Sequence, residues 1–229
     1  MQQTIRMIAG SLILMLVLVA CGGDEAAGNG EAAGGNDGGN DAQAGLSIDN
    51  LDQQVTLDNT GTLAEDEPFE NFVVSYPSNW HGSQDGFDIT ISNNQQAEAS
   101  HGAILAGTQD IPEGVILIQA QSQASLQYAG FQVEDATNAE ELMTNYLDFL
   151  QLGFGAQITD EPVPYEEIDI PAVRFVSTDG VNQLFPAGTV LVAVEYAEGL
   201  ALYQVVFDGS IQEFEPLARE IIANATIDG

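Results

Sequence analysis

The sequence predicts an α+β fold: an antiparallel β-sheet with flanking helices, forming a single domain after a disordered linker. Three observations carry that prediction. Runs of β-branched and aromatic residues recur from Phe72 to Phe207, alternate apolar with polar, and are separated by turn residues. Two later segments, 142–150 and 214–225, instead repeat their apolar residues at helical spacing. The stretch 22–45, GGDEAAGNGEAAGGNDGGNDAQAG, holds no aromatic or β-branched residue, so it cannot bury enough apolar surface to offset its ordering entropy. At 229 residues and 45% hydrophobic content, the chain is long enough for one sizeable core.

The N-terminus comes first in the chain and carries the sharpest motif. Residues 1–7 hold Arg6 and no acidic residue, and an apolar run follows from Ile8 to Ala20. As a helix that run rises only about 20 Å, at about 1.5 Å per residue, short of a hydrocarbon core of about 30 Å. It fits the apolar region of a signal peptide over 1–20 better than a permanent span. Its end, Leu18-Val19-Ala20-Cys21, resembles the bacterial lipobox. That resemblance implies a diacylglycerol on the Cys21 thiol and cleavage just before it, which would place the protein on the extracytoplasmic face of a bacterial cell membrane. Two acyl chains, at about 0.8 kcal/mol per buried CH₂, hold a protein on a bilayer where one holds it only marginally. Cys21 is the only cysteine, so no disulfide and no other thiol is expected.

Residues 21–45 then read as the lipidated cysteine and a flexible linker. A Gly-rich coil of roughly 24 residues reaches about 25–30 Å on average. Gly28-Asn29-Gly30 lacks the preceding strand and following helix of a dinucleotide loop. The Asn36-Asp37 and Asn40-Asp41 pairs could hold cations loosely. The globular domain is expected over 46–229, with its core beginning near Pro68.

Within it, Phe72–Tyr76 reads as a strand stopped by Pro77, and Phe87–Ile91 as a half-buried strand turned by Ser92-Asn93-Asn94. Gly82–Gly86 and Gln95–His101 read as loops. Gly114–Gln121 is a strand. Thr137 and Glu140 form a capping box for a helix whose apolar stripe is Leu142, Met143, Tyr146, Leu147 and Leu150. Gln157–Thr159 is a weak strand signal. Ala172–Val176, Val190–Tyr196 and Leu200–Phe207 are strong ones, the last two joined at Glu198-Gly199 as a hairpin. Ser210 and Glu213 would cap a final helix with Phe214, Leu217, Ala218, Ile221, Ile222 and Ala225 on one face.

Tyr76-Pro77-Ser78-Asn79-Trp80, the following strand Ile89–Asn93, and a closing hairpin that runs into a helix with the early aromatic Phe214 resemble the PsbP-like family. The resemblance spans 68–228. It implies an α/β/α sandwich around an antiparallel sheet, with binding or assembly roles and no shared catalytic centre. Trp80 is expected to pack on the sheet.

Charge excludes some partners. Thirty-five Asp and Glu face three Lys and Arg, a net charge of -32, and the basic residues are Arg6, Arg174 and Arg219. Such a surface repels nucleic-acid phosphates and anionic lipid headgroups, and it fits a salt-rich setting. Two histidines exist, His81 and His101, too few for a zinc shell without carboxylates. His81, Ser83 and Asp85 stand close together, but no G-x-S-x-G elbow accompanies them. Glu166, Glu167 and Asp169 read as a solvated loop, and Arg174 as the partner of a buried carboxylate. The expectation is therefore a non-catalytic, lipid-anchored binding or assembly domain with no cofactor, whose partners are the bilayer and an unidentified protein or small molecule. The alternative is an envelope hydrolase or metal-dependent enzyme using His81 or His101 with carboxylates.

Overall fold

The structure, a computed structural model, describes residues 51–57, 71–158, 160–177, 189–208 and 211–228. The lipobox, the linker and Pro68 lie outside these residues, as do the side chains of Ser210, Glu213 and Phe214. All described residues fall in one compact unit, Asn40–Gly229.

The strands are β1 (Gln53–Leu57), β2 (Asn71–Tyr76), β3 (His81–Asp85), β4 (Asp88–Ser92), β5 (Ile116–Ser122), β6 (Val163–Pro164), β7 (Ala172–Val176), β8 (Val190–Tyr196), β9 (Gly199–Phe207) and β10 (Thr226–Asp228). The helices are α1 (Gln95–Ala99), α2 (His101–Leu105), α3 (Gln123–Tyr128), α4 (Ala139–Phe154) and α5 (Ile211–Ala223). A seven-stranded sheet has the order β3-β4-β5-β9-β8-β7-β6, and a three-stranded sheet the order β1-β2-β10. Every pairing is antiparallel. The fold class is thus α+β, as expected.

The chain's route explains the strand order. From β5 it passes through α3 and α4 to the far end of the sheet. The β7–β8–β9 meander then returns, setting Gln119 of β5 opposite Gln204 of β9. Tyr196 pairs with Gly199, so the hairpin turn is Ala197-Glu198, one residue earlier than the Glu198-Gly199 signal, and Gly199 opens the strand.

Alternation along these strands builds two cores. Val192 and Val194 of β8 with Ala201, Tyr203 and Val205 of β9 face α5 and the small sheet, where they meet Phe72, Val74, Leu217, Ile221 and Ile227. The opposite face of the same strands, Leu191, Ala193, Leu200 and Leu202, packs on α3 and α4 through Leu126, Leu142, Met143, Tyr146, Leu147 and Leu150. The helical stripe is therefore buried as its spacing requires. Each such side chain contributes about 1.5–3 kcal/mol on burial. Tyr196 donates to the Ile222 carbonyl at 2.6 Å and accepts from Tyr203 at 2.5 Å, which ties the hairpin to α5 and satisfies both hydroxyls. Trp80, 4% exposed, joins this core as expected.

Four local expectations are corrected. Gly82–Gly86 is not a loop: 82–85 belong to β3, paired with β4 around a turn where Gly86 has φ +59°. Gln95–His101 is not a loop either, because Asn94 accepts from the amides of Gln96 and Ala97 and starts α1, while α2 buries Ile104 and Leu105. The α4 cap is shifted by one residue: Asn138 accepts from Glu141 N at 2.9 Å, and Glu141 reaches back to the Thr137 amide and hydroxyl. Gln157 and Ile158 form no strand, and Thr159 lies outside the described residues; the pairing falls instead on Val163–Pro164.

Candidate functional site

Residues two apart on a strand share a face, and on the α1–α4 side of the large sheet that rule assembles a polar patch. It comprises Ser83 and Asp85 on β3, Asp88 and Thr90 on β4, Gln119 and Gln121 on β5, and Gln204 on β9. The same face turns apolar at β8 and β7, where α4 covers it.

Asp88 is the centre of the patch. Gln119 donates to its Oδ2 at 2.7 Å and Gln121 to its Oδ1 at 2.5 Å. Burial pushes the Asp88 carboxyl up to about 6, against the two amides and the His101 charge, which favour the ionised form, while Asp85 adds repulsion. Tyr146 of α4 is pushed up by burial first and by the Asp88 charge second. Two further polar groups on this face, Thr90 Oγ1 and Gln204 Nε2, are buried without a hydrogen-bond partner among the described residues. They flank Gln119 in one cross-strand row, since Thr90 pairs with Gln119 and Gln119 with Gln204.

The helices add a histidine. His101 at the start of α2 donates from Nδ1 to the Glu98 carbonyl at 2.9 Å and turns Nε2 toward Asp85 Oδ2 at 3.7 Å. Ser83 donates to the Glu98 carboxylate. His81 stands opposite Ser92, at the other end of β3 from Asp85, about 13 Å along a strand that rises about 3.3 Å per residue. The His81–Ser83–Asp85 grouping therefore does not assemble. The histidine that meets carboxylates is His101. What the cluster can do is exchange a proton; the Ser83 hydroxyl is committed to Glu98, and the Thr90 hydroxyl is buried. Among the described residues no group of three or more His, Cys, Asp or Glu could hold a metal ion.

Sequence reasoning missed Asp88 and the glutamines. The signal was Gln119 and Gln204, each flanked by apolar residues in a strand with long apolar runs on both faces. Such strands are covered on both sides, so a glutamine within them must find partners in the interior.

The two arginines of the described chain converge elsewhere. Arg174 pairs with Glu215 of α5 at 2.7 Å and lies 5.2 Å from the Tyr165 ring centroid, and Arg219 donates to the Glu167 carbonyl at 3.3 Å. Burial, then the Glu215 charge, pushes the Tyr165 hydroxyl up. Glu166, Glu167 and Asp169 are exposed, as a solvated loop requires. Beside Tyr165 a small apolar space of about 20 Å³ lies between α5 and β8–β9, room for about one water. Larger spaces are open grooves. One of about 560 Å³ runs between the β8–β9 turn and β10, past Tyr196, Glu198 and Ile227. Another, about 390 Å³, lies along α4 past Phe149 and Leu152.

No family model matches the chain, and no curated protein or solved structure matches it. No helix among the described residues is long and apolar enough to cross a membrane.

Proposed function

We propose that this protein is a bacterial lipoprotein, held on the extracytoplasmic face of the cell membrane by acylated Cys21, whose folded domain binds or assembles with a partner without catalysing a reaction. The observation that carries the reading is the apolar run Ile8–Ala20 closing on Leu18-Val19-Ala20-Cys21, with Cys21 the only cysteine. The domain's geometry supports the second half. Its larger described spaces are open grooves suited to a segment of another molecule, and His81 lies at the other end of β3 from Asp85. For the finer architecture we propose the PsbP-like sandwich. Its support is the helix, sheet and mixed layers described above, and Trp80 packing in the core just after Tyr76-Pro77.

Cys21→Ser in the native host is the test. The wild type is expected in the membrane fraction with a radiolabelled acyl chain and a trimmed N-terminus. The variant is expected to lose the label and remain untrimmed. A variant still acylated and cut before residue 21 would sink the proposal.

One observation favours a second reading. His101, Asp85 and Asp88, whose carboxyl burial raises to about 6, form a cluster able to exchange a proton, so an enzyme would use these residues. Turnover of ester or glycoside substrates that His101→Gln abolishes, with the melting temperature unchanged, would establish it; no turnover with either chain would dismiss it.

A further inference from the structure

The helix α4 buries one apolar stripe in the fold and leaves a groove with two apolar side chains, Phe149 and Leu152, along another side. Leu142, Met143, Tyr146, Leu147 and Leu150 are buried against the sheet. Asn145, Asp148, Phe149, Leu152 and Gly153 follow the same three-and-four spacing on another side and line the groove of about 390 Å³. Leu152 is 89% exposed and lies one turn beyond Phe149 on the same side of the helix, while Phe154 is 46% exposed at its end. A lone exposed leucine needs no explanation, but this one stands on an ordered aromatic run. The Tyr146 and Phe131 rings lie 4.9 Å apart, Phe131 and Phe149 5.0 Å, and Phe149 and Phe154 5.9 Å, leading from the core to the surface. The patch is held in shape before anything touches it, which lowers the ordering cost of binding.

Charge selects the occupant. Asp148 lines the groove, the last turn of α4 holds no basic residue, and the helix C-terminus adds partial negative charge. Arg174 and Arg219 are both engaged at α5 and the adjoining loop. A bilayer rich in anionic lipid is repelled by a chain of net charge -32, and so is a second copy of that chain. A cationic apolar segment is attracted.

We propose that the groove of α4 bounded by Phe149 and Leu152 is a docking surface for a basic amphipathic segment of a partner protein. Aliphatic side chains of that segment cover Phe149 and Leu152, and its Lys or Arg residues meet Asp148 and the helix end. This rests on the domain being a binding module, and it names the surface and the chemistry of what binds there.

The test uses the mature chain and a short peptide with leucine on one helical face and lysine on the other, at an ionic strength of about 0.15 M. Its Kd is measured by fluorescence anisotropy for the wild type, for Leu152→Ser, and for Glu113→Gln, an exposed carboxylate outside the groove. Leu152→Ser is expected to weaken binding about tenfold or more, as loss of an anchor does, with Glu113→Gln within about twofold of the wild type. A peptide with glutamate in place of lysine is expected not to bind. Equal Kd values in all three proteins would reduce the effect to general charge attraction and overturn the site. Two other results would also overturn it: a wild-type dimer in sedimentation that Leu152→Ser dissolves, or binding to anionic vesicles that the same variant abolishes. If amide shifts place the peptide elsewhere, this surface fails while the binding-module reading stands. A His101-dependent turnover would do the reverse.

Discussion

Asp88 holds its proton well above the usual carboxylate range, and that preference acts on stability. The folded chain binds the proton at about 6, against 3.8 for an ordinary aspartate. Stability from this group is therefore full below about 3.8 and lost as pH rises through about 6, because the native state binds the proton more tightly than the unfolded chain. The whole shift corresponds to about 3 kcal/mol as an upper bound, reduced here because Asp88 is only half-buried and solvent screens part of its charge. Asp88→Asn keeps the shape and cannot ionise; a rotated glutamine amide then supplies its acceptor. Between about pH 4 and pH 7 the wild type is expected to lose about 1–2 kcal/mol relative to the variant, read by denaturant unfolding at each pH. Parallel curves for the two proteins would show that the Asp88 proton is not linked to folding.

At the scale of elements, β3 is held by its neighbours more than by its own side chains. His-Gly-Ser-Gln-Asp contains no apolar residue, and Gly82 is there because nothing larger fits: a Cβ would sit 2.7 Å from the Tyr76 ring. Tyr76 is 8% exposed and has little room to swing aside. Gly82→Ala is expected to cost about 1–3 kcal/mol by overpacking, measured as a lowered unfolding midpoint with an unchanged denaturant slope. An alanine variant as stable as the wild type would mean that the ring moves freely. The same strand shows why part of the fold was unreadable. Val190–Tyr196 and Leu200–Phe207 were legible because both carry long apolar runs, and α4 because its stripe repeats at helical spacing. The segments 82–86 and 95–101 carry almost no apolar pattern. Their structure comes from pairing with β4 and from the Asn94 cap, which tertiary context alone brings into play. The β1 strand, with two of its five residues apolar, was equally silent and is defined by its register with β2. The site was hidden for a related reason. Asp88 looked like the solvent side of a half-buried strand, and it is withdrawn from water because α1, α2 and Tyr146 pack over that face. The expected pairing of Arg174 with a carboxylate was legible, because a lone cation in an apolar strand leaves few alternatives.

At the scale of the whole molecule, self-repulsion is the force that a change of solution alters most. A net charge of -32 works against compactness, and salt screens it, with a Debye length falling from about 10 Å at 0.1 M to about 3 Å at 1 M. The melting temperature is expected to rise between about 0.05 and 2 M NaCl, followed by circular dichroism; a flat or falling curve would rule out salt adaptation. Brine, however, also takes away the electrostatic cushion that keeps identical copies from touching. The large sheet is prepared for that. At one margin, β6 is only two residues long and ends in Pro164, which has no amide hydrogen to offer an incoming strand. At the other margin, β1 of the small sheet lies alongside β3. Ribbon growth from copy to copy thus lacks a template at either border, and the fold can stay dispersed in solutions concentrated enough to silence its charge.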